Sequence, residues 1–193
     1  GVAAIEGSGH RALLSSLAAL TPPSSGELRL PQRIAFIPAD RHRDSLIPDF
    51  SLTENVALDG LGAARGLLDW RALAARTREL VSRFSIAAAS ETVAARTLSG
   101  GNQQRLVVAR ALEHPVDLVV ADNPTRGLDF QASAFVHGQL RAAAAAGAAV
   151  VVHSSDLDEV LALATRVLVV FQGRLRECAV DRNAIGRAML GAT

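Results

Sequence analysis

Lysine is absent from this chain, and all 20 basic residues are arginine. No side chain can therefore offer an ammonium to a bound phosphate. Tyrosine is absent as well, and aromatic residues make up only 4% of the sequence. A single cysteine, Cys178, excludes an internal disulfide and fits a reducing compartment, where it reads as a packed thiol. The longest apolar stretch, Ala142 to Val152, is too short to span a bilayer and is broken at Gly147. It reads instead as a helix end, a glycine stop and a new strand. The net charge of +1 gives no basic surface for nucleic acid. No signal peptide is visible, and the first residue already lies in a strand-like segment, so the expectation is a soluble, cytoplasmic piece of something larger.

What is present suits a packed α/β domain: 193 residues, 49% of them hydrophobic. Short apolar runs at Val2–Ile5, Ile34–Ile37, Leu118–Ala121, Ala148–Val152, Val167–Phe171 and Arg174–Cys178 read as strands, with an exposed strand at Glu27–Leu30. Helical spacing occupies the segments between them: Leu13 to Leu20, Gln131 to Ala146 and Leu157 to Ala164. Strands alternating with helices predict a mostly parallel sheet covered on both faces. From Asp40 the composition shifts to a polar loop, Arg41-His42-Arg43-Asp44, then to helical patterns at Leu52–Leu58 and Trp70–Phe84. The expected organisation is a core from residues 1–40 and 97–193, with a helical lobe at 41–96.

Three segments carry chemistry. In the first, Leu98-Ser99-Gly100-Gly101-Asn102-Gln103-Gln104 precedes a helical pattern. Glycines there let a phosphate approach the backbone, and the first helical N–H groups point at it. In the second, a buried strand ends in Asp122 and is followed by Asn123-Pro124-Thr125-Arg126-Gly127-Leu128-Asp129. In the third, Ala4-Ile5-Glu6-Gly7-Ser8-Gly9-His10-Arg11 follows the backbone of the phosphate-loop pattern G-x-x-x-x-G-K-[ST]. That pattern needs a lysine between the β- and γ-phosphates and a hydroxyl on Mg²⁺. Here those places hold His10 and Arg11, so the loop is either a weakened phosphate cradle or a plain strand-turn-helix.

Together these segments resemble an ABC ATPase: signature loop, Walker B strand and D-loop in order, after a Walker A loop. The fold implied is the three-layer P-loop NTPase fold with an inserted helical lobe. The stretch Ile34–Arg43 running into Ser51-Leu52-Thr53-Glu54-Asn55, the Asn-Gln-Gln after the signature glycines and Pro124–Asp129 are similar to the C-terminal half of the sugar and nucleoside importers. There one polypeptide carries two ATP-binding halves. Asn123-Pro124 and Ile185–Gly191 lean towards the nucleoside branch. Ala39 stands where those proteins usually have Glu, and the antiparallel strands with the adenine-stacking aromatic are missing ahead of Gly1.

The resemblance implies ATP and Mg²⁺ as ligands. Gly7, Ser8, Gly9, His10 and Arg11 would form the chain's own nucleotide loop. Ser99, Gly100, Gly101, Gln103 and Asp129 would meet nucleotide as signature and D-loop residues, and Asp122 would reach the metal. Asn123 takes the place of the water-activating glutamate, and an amide accepts no proton from water. Ser155 takes the switch-histidine place. His153, two residues earlier, reads as a core or strand-end histidine facing the other side of its strand. The expectation is a half with an eroded site of its own that supplies its signature loop to an N-terminal ABC half of the same polypeptide. Transmembrane permease subunits would be further partners, with the protein peripheral to the inner face of the membrane. Asp40, Arg41 and Arg43 are candidate permease contacts or plain solvated surface. The alternatives are a self-sufficient homodimeric ATPase, a non-transport ABC protein of DNA repair or translation, and a purely structural module.

Overall fold

The computed structural model describes residues 1–60 and 66–192; residues 61–65, inside the expected helical lobe, lie outside the described residues. In chain order the elements are β1 (Val2–Ala4), α1 (His10–Leu17), β2 (Ile34–Ile37), α2 (Arg41–Asp44), α3 (Leu52–Ala57) and α4 (Trp70–Arg83). Then come α5 (Gly100–Ala111), β3 (Leu118–Asp122), α6 (Phe130–Ala145) and β4 (Ala149–His153). The chain continues with α7 (Leu157–Leu163), β5 (Val167–Phe171), β6 (Arg174–Cys178) and α8 (Arg182–Met189). They form two compact units: residues 1–39, 115–124 and 137–193, and residues 40–114 and 125–136.

The first unit is built on a six-stranded sheet of order β2-β3-β4-β1-β5-β6. Every pairing is parallel except that of β6, which returns antiparallel along β5. The run Leu118-Val119-Val120-Ala121 is apolar at every position because the strand is covered on both faces. Alternation then sorts the side chains. Leu118 and Val120 pack with Leu14 of α1, whereas Ala3, Val167 and Val169 pack with Val160 of α7 and Ile185 and Ala188 of α8. Three layers result, with α1 on one face and α7 and α8 on the other.

The second unit is helical. Ser51 and Glu54 cap α3 reciprocally, and the buried Asn55 side chain accepts from Ile47 N–H and donates to the Ile47, Phe50 and Ser51 carbonyls. That explains the Ser-Leu-Thr-Glu-Asn run: it closes the turn leading into α3. Helix α5 packs with α4, the Arg76 guanidinium binding Glu113 at 2.6 Å, so this unit extends to residue 114. The expected lobe stopped at 96, ahead of that helix.

Three local expectations give way. Residues 27–30 form no strand, and Pro31, which has no N–H to donate, follows them directly. The polar run at 41–44 is a helical turn, because the Asp40 carboxylate accepts from the His42 and Arg43 N–H groups. Helix α8, unforeseen as an element, starts where Asp181 accepts from Ala184 N–H and buries Ile185 and Ala188.

Candidate functional site

In the sheet unit, β1 ends at Ala4 and the chain turns through Gly7, Ser8 and Gly9 into α1. Gly9 caps the helix at φ +100°, a conformation that L side chains rarely adopt, and a Cβ there would stand 3.5 Å from Gly173 Cα. Ser8 is buried, and its carbonyl accepts from Gly173 N–H at 2.9 Å. The backbone thus turns tightly from β1 into α1 and is held against Gly173.

Its side chains do something else. His10 is 3% exposed, and its ring stacks on that of His153 with centroids 4.2 Å apart and planes 19° from parallel. His153, also 3% exposed, bonds through Nδ1 to Asp122 Oδ1 at 2.8 Å. A carboxylate only accepts, so Nδ1 carries the proton. Among the described residues, His10 Nδ1 and His153 Nε2 are buried with no hydrogen-bond partner. The Asn123 amide is spent as well. It donates to Asp122 Oδ1 at 2.8 Å and accepts from Ser155 N–H at 2.8 Å, with its backbone at φ +44°. Ser155 itself is exposed and enters the cluster only through that main-chain bond.

The electrostatics follow. Burial, then the neighbouring His153 ring, pushes the His10 imidazole below its ordinary 6.5, so it is neutral at pH 7. Burial also raises the Asp122 carboxyl, but the His153 bond and the Asn123 amide outweigh it and hold the group below the ordinary 3.8. Arg11 points away, exposed and paired with Glu6 at 2.8 Å. These side chains do not fit a magnesium–triphosphate group. The lysine place is neutral, the hydroxyl place holds a guanidinium without a lone pair, and the Asp122 carboxylate already has a histidine and an amide on it.

His153 is buried and ends β4, in line with its reading as a core or strand-end histidine, and its ring meets Asp122 because β3 and β4 are parallel neighbours with Asp122 and His153 in direct register.

In the helical unit, Ser99 is the N-cap of α5, with Gly100 and Gly101 as its first two residues. The Ser99 side chain is exposed, and its hydroxyl oxygen accepts from the Asn102 side-chain amide at 2.9 Å. A Cβ on Gly101 would stand 3.1 Å from Ala132 Cβ, which keeps this turn close to the start of α6. Asp129 is exposed and accepts from Ala132 N–H at 2.8 Å. Gln103, grouped by sequence with the nucleotide contacts, is turned inward. It is 7% exposed and bonded to Arg41, His42 and the Ala95 carbonyl. Of the three charged residues expected as surface contacts, Asp40 caps α2, Arg41 is half-buried against Gln103, and Arg43 is exposed.

The ABC transporter family model matches residues 5–126, a span that includes Gly7–Arg11, the turn at Ser99–Gly101 and Asp122. The chain belongs to the ABC transporter family. This cassette is 35% identical to the nucleoside import ATP-binding protein NupA of Lactococcus lactis, over 91% of its own length. It is 34% identical over its whole length to the guanosine import ATP-binding protein NupO of Bacillus subtilis. It is also 36% identical over 96% of its length to a ribose import ATP-binding protein, RbsA 1, of Burkholderia thailandensis. The cassette spans only 38%, 42% and 40% of those three relatives. Among solved structures, a dimeric ATP-binding cassette in a post-hydrolysis state with ADP and phosphate superposes with a TM-score of 0.73 at 24% identity, covering 91% of this chain and 83% of that one. An inward-facing metal-chelate type ABC transporter gives 0.76 at 22% identity, covering 99% and 75%. Both likenesses establish the fold.

Proposed function

We propose that this chain is one ATP-binding half of a sugar or nucleoside importer, that its own nucleotide loop is degenerate, and that it acts by supplying its signature turn to a partner half that binds and hydrolyses ATP. The observation that carries this reading is the contrast between its two motifs. The signature turn keeps its serine cap, both glycines and a free helix N-terminus, whereas the phosphate loop has a neutral, buried histidine in the lysine place. ABC halves meet head to tail, so one half's erosion leaves its service to the other intact. The partner is an N-terminal ABC half of the same polypeptide; the relatives' much greater length leaves room for it. Transmembrane permease subunits complete the assembly at the inner face of the membrane, and nucleic acid has no part in it.

Chemically, the chain's contribution is electrostatic. The first N–H groups of α5 and the Ser99 hydroxyl would face a γ-phosphate held by the partner, where fixed dipoles favour the charge developing during transfer. Asn123 takes no proton from water, so hydrolysis belongs to the partner's glutamate. The importing of sugars and nucleosides rests on the likeness to nucleoside, guanosine and ribose import ATP-binding proteins, and the transported solute is selected by other subunits.

Calorimetry of this chain with Mg·ATP tests the degenerate site. The expected result is no binding down to about 1 mM, equivalent to roughly −4 kcal/mol. Binding at about 10 μM or tighter would show that the loop at residues 4–11 works without its lysine.

A further inference from the structure

Gln103 holds the start of α5 from inside the helical unit. Its Oε1 accepts from Arg41 Nε at 3.2 Å and lies 2.7 Å from His42 Nε2, which must be the protonated ring nitrogen since a carboxamide oxygen only accepts. Its amide nitrogen donates to the Ala95 carbonyl at 3.2 Å. The Arg41 guanidinium then lies along the turn, one terminal nitrogen only 3.0 Å from where a Cβ on Gly100 would stand.

The turn has reason to need such a tie. Two consecutive glycines open α5, and without side chains they leave its first turn conformationally loose. The N-cap bond from Asn102 N–H to the Ser99 hydroxyl is 3.4 Å long, beyond the usual range for a firm N–H···O contact. Arg41 and His42 are themselves fixed, because Asp40 caps their short helix and Arg110 donates to the Ser45 carbonyl at 2.6 Å just beyond it.

We propose that Arg41 and His42 are positioning residues for the signature turn, clamping Gln103 so that Ser99, Gly100 and Gly101 are presented in one fixed geometry. The inference rests on the signature-donor reading of this chain. It also assigns Gln103 an inward role in place of a phosphate contact. Arg41 and Gln103 act as one unit, so removing either loosens the turn and removing both loosens it no further.

The test uses the paired ATPase, this chain joined to its ATP-binding half and permease, with Gly101→Asp as reference. Arg41→Ala is expected to lower kcat about tenfold while KM for ATP moves less than about twofold, since the turn is misplaced while the partner still binds nucleotide. Gln103→Ala should give the same loss, and the double variant should match the single ones. Arg41→Lys keeps the charge but lacks the Nε donor, and is expected to leave the loss in place. Amide exchange at residues 100–103 should speed up in both single variants. An unchanged kcat in Arg41→Ala, or losses that multiply in the double variant, would overturn the clamp. If Gly101→Asp abolishes hydrolysis while Arg41→Ala does not, the clamp alone falls. If Gly101→Asp also leaves hydrolysis intact, the donor reading falls and takes the clamp with it.

Discussion

Gly101→Asp in the paired ATPase is expected to reduce hydrolysis by about a hundredfold or more, the scale of losing an electrostatic contact to a transition state. Gly101 is the second residue of α5, so the new carboxylate would stand among the N–H groups that face a phosphate. Two like charges about 4 Å apart at a protein surface repel by roughly 4 kcal/mol, more than the helix dipole returns. The same carboxylate is favourable for the chain in isolation, since acids suit a helix N-terminus, so folding is retained. The added Cβ would stand 3.1 Å from Ala132 Cβ, so that neighbour has to give by a few tenths of an ångström. Gly101→Ala separates the two effects, because it carries the same Cβ without the charge. It should retain most of the activity, and steady-state phosphate release measures both variants. Equal loss in both would assign the effect to crowding.

His153→Ala is expected to destabilise the chain by about 2–4 kcal/mol, because it strips the main partner from a largely buried carboxylate. The side chain of Asp122 is only 14% exposed, and the Asn123 amide alone would then face it. His153→Asn returns a donor near the Nδ1 position and should recover part of the loss; urea unfolding reads both. Acid acts on the same cluster. The folded-state pKa of His10 lies below the unfolded 6.5, so the unfolded chain binds the extra proton, and stability falls as pH drops through 6.5 towards the folded value. Asp122 is depressed from 3.8, so its contribution is complete above that value and is lost as pH falls through the lower folded one. The thermal midpoint should therefore decline between pH 7 and pH 5, and His10→Gln should flatten that decline. A midpoint that is level in the parent chain over this range would contradict the buried neutral histidine.

Much of this was legible in the sequence because the cues were local. The Val-rich runs at 118–121 and 167–170 announced strands covered on both faces, and Ser-Gly-Gly ahead of an apolar helical pattern announced a capped helix. The segment at 27–30, read as an exposed strand, forms none, since no neighbouring strand pairs with it among the described residues. Two site features were hidden because they depend on register and orientation. His153 joins Asp122 only once β3 and β4 lie side by side in step. Gln103 sits in a motif associated with nucleotide, but one turn of helix rotates it inward to Arg41 and His42. His10 in the lysine place was visible in the sequence; its stack on His153, beside the histidine-bound Asp122, required coordinates.

The central claim is that one nucleotide serves two halves. Counting Mg·ATP bound to the paired protein, with hydrolysis blocked at the partner's glutamate and nucleotide saturating, tests it most directly. One nucleotide per pair, lost when the partner's phosphate loop is disabled and retained when His10 is replaced by alanine, is the result expected. Two per pair would contradict it, since the second could only sit on the loop at residues 4–11.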